Sequence, residues 1–353
     1  MTYESPRSIL IVKLSAIGDV VHSLPVLEVL RRSYPGAVID WVVEEAAAGI
    51  VEGHPAIDRV FVSRRKTWQR ALAKGNASPS AGEILGFIRR LRSTRYDLVI
   101  DLQGLFKSGI LLGFARGVRK VGMSGAREGA GLFLNEHAVA VGREIHAIDR
   151  YLKLAASLGC DVSGWDGRLP VTEADAASAG RLLECAGIGD TPFVAVNPVA
   201  KWETKLWLSD RFSRLCDRIV EETGCKVVFT GGGADFGHLE EIISAMRHPA
   251  VNLAGRTGLR ELASVYQRAK LLITTDTGPM HIAAAMKCPV VALFGPTSPA
   301  RTGPYGTGHR VIEAGVPCSP CFRKKCKTLL CMTGINTERV FEEAASFLIP
   351  GRV

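Results

Sequence analysis

Along the chain, short runs of apolar and β-branched residues alternate with segments in which apolar residues recur every three or four positions. The first pattern is typical of strands covered on both faces, and the second of amphipathic helices. The runs predict strands at residues 8–14, 38–43, 59–62, 97–101, 193–196, 226–230, 271–275 and 290–294. The periodic segments predict helices near residues 20–32, 44–51, 82–94, 104–114, 145–158, 173–186, 209–223, 235–246, 259–267, 279–286 and 336–348.

This alternation of strands and helices occurs in two blocks of similar size, which predicts two Rossmann-like, doubly wound α/β domains. The glycine- and proline-bearing stretch 159–170 is the predicted linker. We therefore expect an N-terminal domain at 1–170 and a C-terminal domain at 171–353, the latter with a cysteine-rich segment at 318–331 and a terminal helix. A second turn-rich stretch, 74–82, predicts a mobile loop.

Composition narrows the class of protein. With 353 residues, 47% hydrophobic and 22% charged, the chain can fill sizeable cores, which excludes wholesale disorder. Its longest apolar runs fall far short of the roughly 18 residues that a membrane-spanning helix needs. The N-terminal apolar run covers only residues 9–12 and does not match a secretory signal. We expect a cytoplasmic protein.

The excess of positive over negative charge is concentrated in one region. Residues 59–127 contain 15 Lys and Arg but 3 Asp and Glu, a net +12, whereas the whole chain carries +9. Such a concentration indicates an anionic partner: nucleic acid, an anionic membrane surface, or a phosphorylated or carboxylated substrate. The alternative is a set of solvated helix faces.

The first strand leads into the motif KLSAIGD, which ends at a helix start. In open α/β sheets, ligands bind at the carboxyl ends of strands. Gly18 permits a tight turn there, and Asp19 is a candidate general base for a substrate hydroxyl. The alternative is that the Asp19 carboxylate only caps the helix.

A second polar motif, DLQGLFKS, follows the strand at 97–101 and opens another helix. Gln103 and Ser108 can hydrogen-bond hydroxyl groups, and Lys107 can contact an anion. Asp101, at the strand terminus, is open to a structural role.

In the second block, the motif NPVAKWETKLW follows the first strand. Lys201, Lys205, Thr204 and free backbone amides suit a diphosphate, and the two indoles can shield it from water. The alternative is an amphipathic loop with surface lysines and packed tryptophans.

The motif TTDTGPMH joins a later strand to a helix. Asp276 and Thr277 can cap that helix, and Pro279 fits its first turn. The backbone amides from Gly278 to His281 would then face a phosphate, supported by the helix dipole. The His281 side chain contacts the same anion or has a structural role.

The nine cysteines comprise five scattered residues, typical of buried thiols, and a cluster. The spacing of Cys318, Cys321, Cys326 and Cys331 is compatible with one tetrahedral structural zinc. Two disulfides, plain reduced thiols and redox sensing remain open alternatives.

Taken together, these motifs resemble those of the bacterial lipopolysaccharide heptosyltransferases of glycosyltransferase family 9. The resemblance rests on KLSAIGDVVHSLPVL, IDWVVEE, YDLVIDLQGLFKSG and TTDTGPMHIAAA, and it is strongest to the heptosyltransferase I branch. It implies the GT-B fold, with two Rossmann-like domains facing a central cleft. It also implies inverting transfer of L-glycero-D-manno-heptose from ADP-heptose, the co-substrate, to Kdo of Kdo-lipid A, with no required cofactor.

The resemblance further implies roles for individual residues. Asp19 would be the general base, while Lys205 and the amides of Thr277 and Gly278 would stabilise the departing diphosphate. The other donor-site candidates are Lys201, Thr204, Asp276 and His281. The acceptor-site candidates are Lys13, Gly18, Arg64, Arg65, Lys66, Gln103, Lys107 and Arg127.

The expected partners are ADP-heptose, Kdo-lipid A and the cytoplasmic face of the inner membrane, to which the protein would bind peripherally. One alternative is a heptosyltransferase II or III, which adds heptose to a heptosylated core. Another is a non-enzymatic basic protein that binds RNA. Against RNA binding, only 7% of residues are aromatic and no nucleic-acid motif is present. The oligomeric state is left open.

Overall fold

The computed structural model describes residues 5–74, 77–136, 139–142 and 144–351. The chain divides into two compact units, Met1–Pro170 and Val171–Val353. Each unit is built on one parallel sheet with helices connecting the strands. The predicted α/β class, with two such domains, is therefore confirmed.

The strands of the first unit are β1 (Ser8–Val12), β2 (Val38–Glu44), β3 (Arg59–Ser63), β4 (Arg95–Asp101) and β5 (Arg116–Gly122). Its helices are α1 (Ile17–Val21), α2 (Leu24–Ser33), α3 (Arg65–Ala73), α4 (Ala77–Arg92), α5 (Phe106–Phe114) and α6 (Ala147–Ser157). Short 3₁₀ turns cover Glu45–Ile50 and Ala130–Phe133. Among the described residues these five strands form one parallel sheet in the order β3-β2-β1-β4-β5.

The central strand β1 is buried on both faces, which is why its sequence is continuously apolar. On one face, Leu10 and Val12 pack with Val99 of β4 under Phe87 of α4 and Leu112 of α5. Since β1, β2 and β4 are parallel neighbours, their carboxyl ends meet at one edge of the sheet. The polar residues that follow these strands are thereby brought together.

Several predicted elements differ from the observed ones. Residues 20–32 belong to two helices, because Pro25 has no amide hydrogen to continue the first one and instead lies in the first turn of α2. The stretch 74–82 is not a loop throughout: residues 77–82 belong to α4, while residues 75–76 lie outside the described part of the chain.

Two elements of the basic region were absent from the sequence prediction: helix α3 and strand β5. The sequence of β5, RGVRKVG, lacks a continuous apolar run because the strand lies at the sheet edge and is only partly covered. The basic residues of β5 interrupt the apolar pattern that predicts a strand. In the structure this strand forms by pairing with β4.

We expect Gly109→Ala to destabilise the first unit. A Cβ at Gly109 of α5 would lie 2.5 Å from the Cδ2 atom of Phe133 and 3.3 Å from the Cα atom of Ala130. The resulting overpacking costs about 1–3 kcal/mol, more than the roughly 1 kcal/mol by which Ala is favoured over Gly in a helix. Urea denaturation measures the change.

The matched control is Gly82→Ala in α4, where a Cβ would have no atom within 4 Å. This substitution is expected to stabilise the protein by about 0.5–1 kcal/mol. Equal shifts in the same direction for both variants would contradict the packing argument.

The strands of the second unit are β6 (Phe193–Asn197), β7 (Lys226–Phe229), β8 (Val251–Asn252), β9 (Leu271–Thr275), β10 (Val290–Phe294) and β11 (His309–Glu313). Its helices are α7 (Glu173–Cys185), α8 (Ser209–Thr223), α9 (Phe236–Ser244), α10 (Leu259–Arg268), α11 (Gly278–Ala285), α12 (Pro299–Thr302), α13 (Leu330–Thr333) and α14 (Thr337–Leu348). Short 3₁₀ turns cover Glu203–Lys205 and Gly233–Asp235. In the described part of this unit the sheet has six parallel strands in the order β11-β10-β9-β6-β7-β8.

The core of the second unit joins its sheet to the terminal helix. Val196 of β6 and Ile273 of β9 belong to the same buried cluster as Phe212 of α8 and Phe341 of α14. Because β6 and β9 are parallel neighbours, the loops that follow them emerge side by side. Across the described residues of both units, no helix combines the length and hydropathy required to traverse a bilayer.

The stability of the first unit is expected to fall on mild acidification because of His54. This side chain is buried, its Nδ1 accepts a hydrogen bond from the Ala56 amide at 3.2 Å, and burial lowers its pKa from 6.5 to about 4. Between these two pH values the unfolded chain binds a proton that the folded protein does not. The free energy of unfolding should therefore decrease from pH 6.5 towards pH 4, and His54→Gln should reduce this slope in urea titrations at each pH.

Candidate active site

The segment at residues 14–19, which we call the Asp19 loop, leads from β1 into α1 and places Asp19, in the first turn of α1, at the carboxyl edge of the first sheet. The Asp19 Oδ2 atom accepts a hydrogen bond from the Ala16 amide at 3.1 Å, so the carboxylate caps the helix. Its side chain is only half-buried, and its Oδ1 accepts no hydrogen bond from any described residue. Gly18 is buried within α1 itself, so it does not form the tight turn expected at this position. The capping and base roles of Asp19 are therefore compatible.

The position of this loop is fixed from β4 and α5. The Oε1 atom of Gln103 accepts hydrogen bonds from the amides of Leu14 at 3.1 Å and Ser15 at 3.0 Å. Lys107 donates from its Nζ to the hydroxyl of Ser15. The side-chain carbonyl of Gln103, expected to face a ligand, is thus used to hold the Asp19 loop.

The side chain of Lys13 lies in the protein interior, so it is not one of the acceptor contacts, contrary to the prediction. Its side chain is buried, and its Nζ donates to the carbonyl of Leu102 at 2.9 Å and to the hydroxyl of Tyr151 at 2.7 Å. Burial alone would lower the pKa of Lys13, but Tyr151 and the nearby Asp19 and Asp101 raise it above its ordinary value. Lys13 therefore supplies a buried positive charge beneath the Asp19 loop.

Asp101 also has a structural role. Its Oδ1 accepts from the amides of Gln103 at 2.8 Å and Gly104 at 3.0 Å, and its Oδ2 accepts from the Ser108 hydroxyl at 3.0 Å. These bonds form the turn from β4 into α5. They also occupy Ser108, which is buried and does not face a ligand.

A charged cluster centred on Glu44 stands beside the Asp19 loop. The buried Glu44 Oε1 accepts from Lys107 at 3.0 Å and from Arg65 at 2.9 Å. Burial would raise the pKa of Glu44, but the hydrogen bonds from Lys107 and Arg65 hold it below its ordinary value. One carboxylate thus partly neutralises two cations and orients them. Glu44, the last residue of β2, was not among the predicted site residues.

The remaining predicted acceptor residues are exposed at the same edge. Arg64 pairs with Glu45 at 3.2 Å and with Glu83 at 3.4 Å. Lys66 is exposed at the start of α3. Arg127 is exposed, and its amide donates to the carbonyl of Gly104 at 2.9 Å. The cations of this edge are therefore interspersed with the carboxylates of Glu44, Glu45 and Glu83, beside Asp19.

In the second unit, Lys205 and Asp276 form an ion pair at the carboxyl ends of β6 and β9. The Lys205 Nζ lies 2.5 Å from the Asp276 Oδ2, which also accepts from the Thr297 hydroxyl at 2.6 Å. Both charged side chains are largely buried, and the Lys205 Nζ lies 4.8 Å from the ring centroid of Trp202. Asp276 therefore positions Lys205. Thr297, which follows β10, also belongs to the site and was not among the predicted site residues.

Helix α11 begins beside this ion pair, with Thr277 as its N-cap. Of the amides expected to face a phosphate, Pro279 has no hydrogen, and the Met280 amide donates to the Thr277 carbonyl at 3.2 Å. This leaves the amides of Thr277 and Gly278, at the start of α11, as the candidates to face a phosphate. They directly follow Asp276, the partner of Lys205. His281 is buried in the first turn.

The other two predicted donor residues occupy different environments. The hydroxyl of Thr204 donates to the carbonyl of Arg323 at 2.8 Å, so it anchors the cysteine-rich segment and does not face a phosphate. Lys201 is exposed on the same loop. The ring of Trp202 is also near a second cation, since the Lys324 Nζ lies 5.3 Å from its centroid.

The nine cysteines are all free thiols, so neither proposed disulfide is present. Cys331 is buried, whereas Cys318 and Cys326 are exposed. Burial and the neighbouring thiols raise the pKa of Cys331. No group of three or more His, Cys, Asp or Glu residues in the described ranges is arranged to hold a metal ion.

A sequence model described as "Glycosyltransferase family 9 (heptosyltransferase)" matches residues 84–331. The chain belongs to glycosyltransferase family 9. It is accordingly a glycosyltransferase, and its two parallel-sheet α/β units are those of the GT-B class.

Individual members of family 9 are similar to this chain over nearly its whole length. Lipopolysaccharide heptosyltransferase 1 of Pseudomonas aeruginosa is 31% identical over 359 residues, covering 97% of this chain and 98% of that protein. Lipopolysaccharide heptosyltransferase 1 of Salmonella typhimurium is 34% identical over 319 residues, covering 88% and 94%. The solved structure of E. coli heptosyltransferase WaaC with ADP has 29% identity and a TM-score of 0.76, covering 95% of this chain and 99% of that one.

Proposed function

We propose that this enzyme transfers heptose from ADP-L-glycero-β-D-manno-heptose to the Kdo residue of Kdo-lipid A, with inversion at the anomeric carbon. The observation that carries the proposal is the oriented Lys205 beside the start of α11, which suits the diphosphate of a nucleotide sugar. Relatives named lipopolysaccharide heptosyltransferase 1, at 31% and 34% identity, support the transfer of heptose onto lipopolysaccharide.

The second unit would bind the donor. As the glycosidic bond breaks, negative charge accumulates on the leaving ADP. In this proposal Lys205, held by Asp276, and the amides of Thr277 and Gly278 face that charge before the reaction begins, so little reorganisation is needed. Asp276 and Thr297 fix Lys205 in place, and the exposed Lys201 adds positive charge at the rim. Because protein groups supply this charge, the proposal includes no cofactor.

The first unit would bind the acceptor. Kdo carries a carboxylate and lipid A carries phosphates, which suit the cations Arg64, Arg65, Lys66, Lys107 and Arg127. Asp19 would take the proton from the attacking Kdo hydroxyl as that oxygen bonds to the anomeric carbon. Because the configuration inverts through an oxocarbenium-like transition state, the base and the leaving group lie on opposite faces of the sugar. In this proposal the protein acts peripherally at the cytoplasmic face of the inner membrane and binds no nucleic acid.

The decisive experiment offers ADP-heptose with either Kdo-lipid A or a heptosylated acceptor, read by mass spectrometry. Addition of one heptose to Kdo-lipid A, with release of ADP, is expected. Transfer only to the heptosylated acceptor would overturn the proposal in favour of a heptosyltransferase II or III. As a binding check, ADP should raise the thermal unfolding midpoint in physiological salt, whereas RNA should bind only at low salt.

A further inference from the structure

The surface helix α5 has an inverted distribution of polar side chains. Its exposed positions are Phe106, Ile110, Gly113 and Phe114. Phe106 is 49% exposed, Ile110 37% and Phe114 38%. Its two polar side chains point the other way: Lys107 bonds to Glu44 and Ser108 to Asp101. A surface helix ordinarily faces water with its polar residues. The outward face of α5 is therefore apolar although it is exposed.

The neighbouring 3₁₀ turn Ala130–Phe133 extends this face. Phe133 packs so closely against α5 that only glycine fits at Gly109, and its ring lies 6.4 Å from that of Phe106. This contact fixes the turn beside the helix and leaves Leu132 89% exposed. We call Phe106, Ile110, Phe114 and Leu132 the apolar stripe. A group of large exposed apolar side chains on a rigid base marks an interaction surface.

Basic residues border the apolar stripe. Arg116 is exposed directly after α5, and Arg127 is exposed just before the 3₁₀ turn. The adjacent helix α4, which packs against α5, ends with three exposed arginines: Arg89, Arg90 and Arg92. One acidic residue, Glu128, lies in the border, where its carboxylate accepts from the Phe106 amide at 3.3 Å. The border is thus strongly positive overall.

We propose that the apolar stripe docks the protein on the surface of an anionic phospholipid bilayer. Apolar side chains bordered by Arg and Lys match the acyl boundary and the anionic headgroups of such a surface. A second copy of this chain fits less well, because a two-fold contact through the stripe would bring two positive borders together.

Docking in this way would serve the acceptor site, a consequence that rests on the proposed function. The stripe begins at Phe106, whose neighbour Lys107 contacts Ser15 of the Asp19 loop. A bilayer against α5 therefore lies beside the edge that carries Asp19. The sugar of a lipid-anchored acceptor would reach this edge without the lipid leaving the bilayer.

The test uses the full chain and vesicles of phosphatidylethanolamine containing phosphatidylglycerol, compared with vesicles of phosphatidylcholine alone. The stripe variant is Phe114→Gln with Leu132→Gln, and the matched control in the second unit is Phe236→Gln with Leu330→Gln, where Phe236 is 48% and Leu330 54% exposed. The stripe variant should bind the anionic vesicles at least about tenfold more weakly than the parent, and the control should bind like the parent.

Activity provides a second readout. With a water-soluble Kdo acceptor that lacks the lipid, the stripe variant should retain the kcat of the parent, whereas its apparent KM for vesicle-embedded acceptor should rise. The vesicle-binding result does not depend on turnover. If no heptose is transferred to any acceptor but binding behaves as expected, the proposed function fails while the docking surface stands.

The docking proposal would be overturned by a parent protein that does not bind anionic vesicles, by a stripe variant that binds them like the parent, or by a parent dimer that the stripe variant converts to monomer. Leu132→Trp provides an independent test that remains valid if the stripe variant misfolds. This substitution should not disturb the fold, because the position is almost fully exposed. Its tryptophan emission, taken as a difference from the parent, should shift to the blue on anionic vesicles. An unchanged spectrum would likewise overturn the proposal.

Discussion

Asp19→Asn is expected to lower kcat for heptose transfer by about 10²–10⁴-fold, the range by which general bases accelerate reactions. The amide oxygen of Asn can still accept the hydrogen bond from the Ala16 amide, so the helix cap is retained while the basic carboxylate is lost. ADP should therefore raise the thermal unfolding midpoint of the variant as it does that of the parent. Steady-state kinetics with saturating ADP-heptose measures the effect.

The matched control for this prediction is Asp175→Asn in α7. The Asp175 carboxylate accepts from the Thr172 amide at 3.0 Å, the same capping contact at a helix start in the other unit. It should leave turnover unchanged. If Asp19→Asn also turned over at a near-normal rate, the carboxylate would be a cap alone and the base would have to be another group.

Lys205→Ala is expected to lower kcat by about 10²–10³-fold, the usual effect of removing one group that stabilises transition-state charge. Donor affinity should weaken as well, since the ammonium also attracts the ground-state diphosphate. Kinetics with varied ADP-heptose separates the two effects. Lys270→Ala is the control, because this exposed lysine precedes β9 at the opposite end of the strand from Asp276. Its kinetic constants should match those of the parent.

The single Lys205 variant leaves the Asp276 carboxylate buried without its cation. That unpaired charge would repel the diphosphate and destabilise the fold. The double variant Lys205→Ala with Asp276→Asn removes this complication. If the ammonium acts on the leaving group, the double variant should regain stability and some donor affinity but not kcat. Full recovery of kcat would show that Lys205 only neutralises Asp276.

The candidate site illustrates how far a sequence pattern reaches. The motifs at the ends of β1, β4, β6 and β9 could be placed on the correct sheet edges, because ligands in open α/β sheets bind at the carboxyl ends of strands. The hydrogen-bond partner of each polar side chain could not be predicted from the sequence. Gln103 holds Leu14 across 89 residues of sequence, and Thr204 holds Arg323 across 119. Such partners are chosen by the folded chain, so a side chain suited to a ligand can serve the scaffold instead.

By itself, the sequence determined the α/β class and most strands and helices, while the resemblance of its motifs indicated the glycosyltransferase family. It did so because strands buried on both faces must be continuously apolar, and because the motifs lie at fixed points of that framework. The tertiary structure alone decided that Lys13 is buried, that Asp276 orients Lys205, and that the apolar side chains of α5 face outwards. These outcomes depend on contacts between distant segments, for which a periodic pattern along the chain contains no signal.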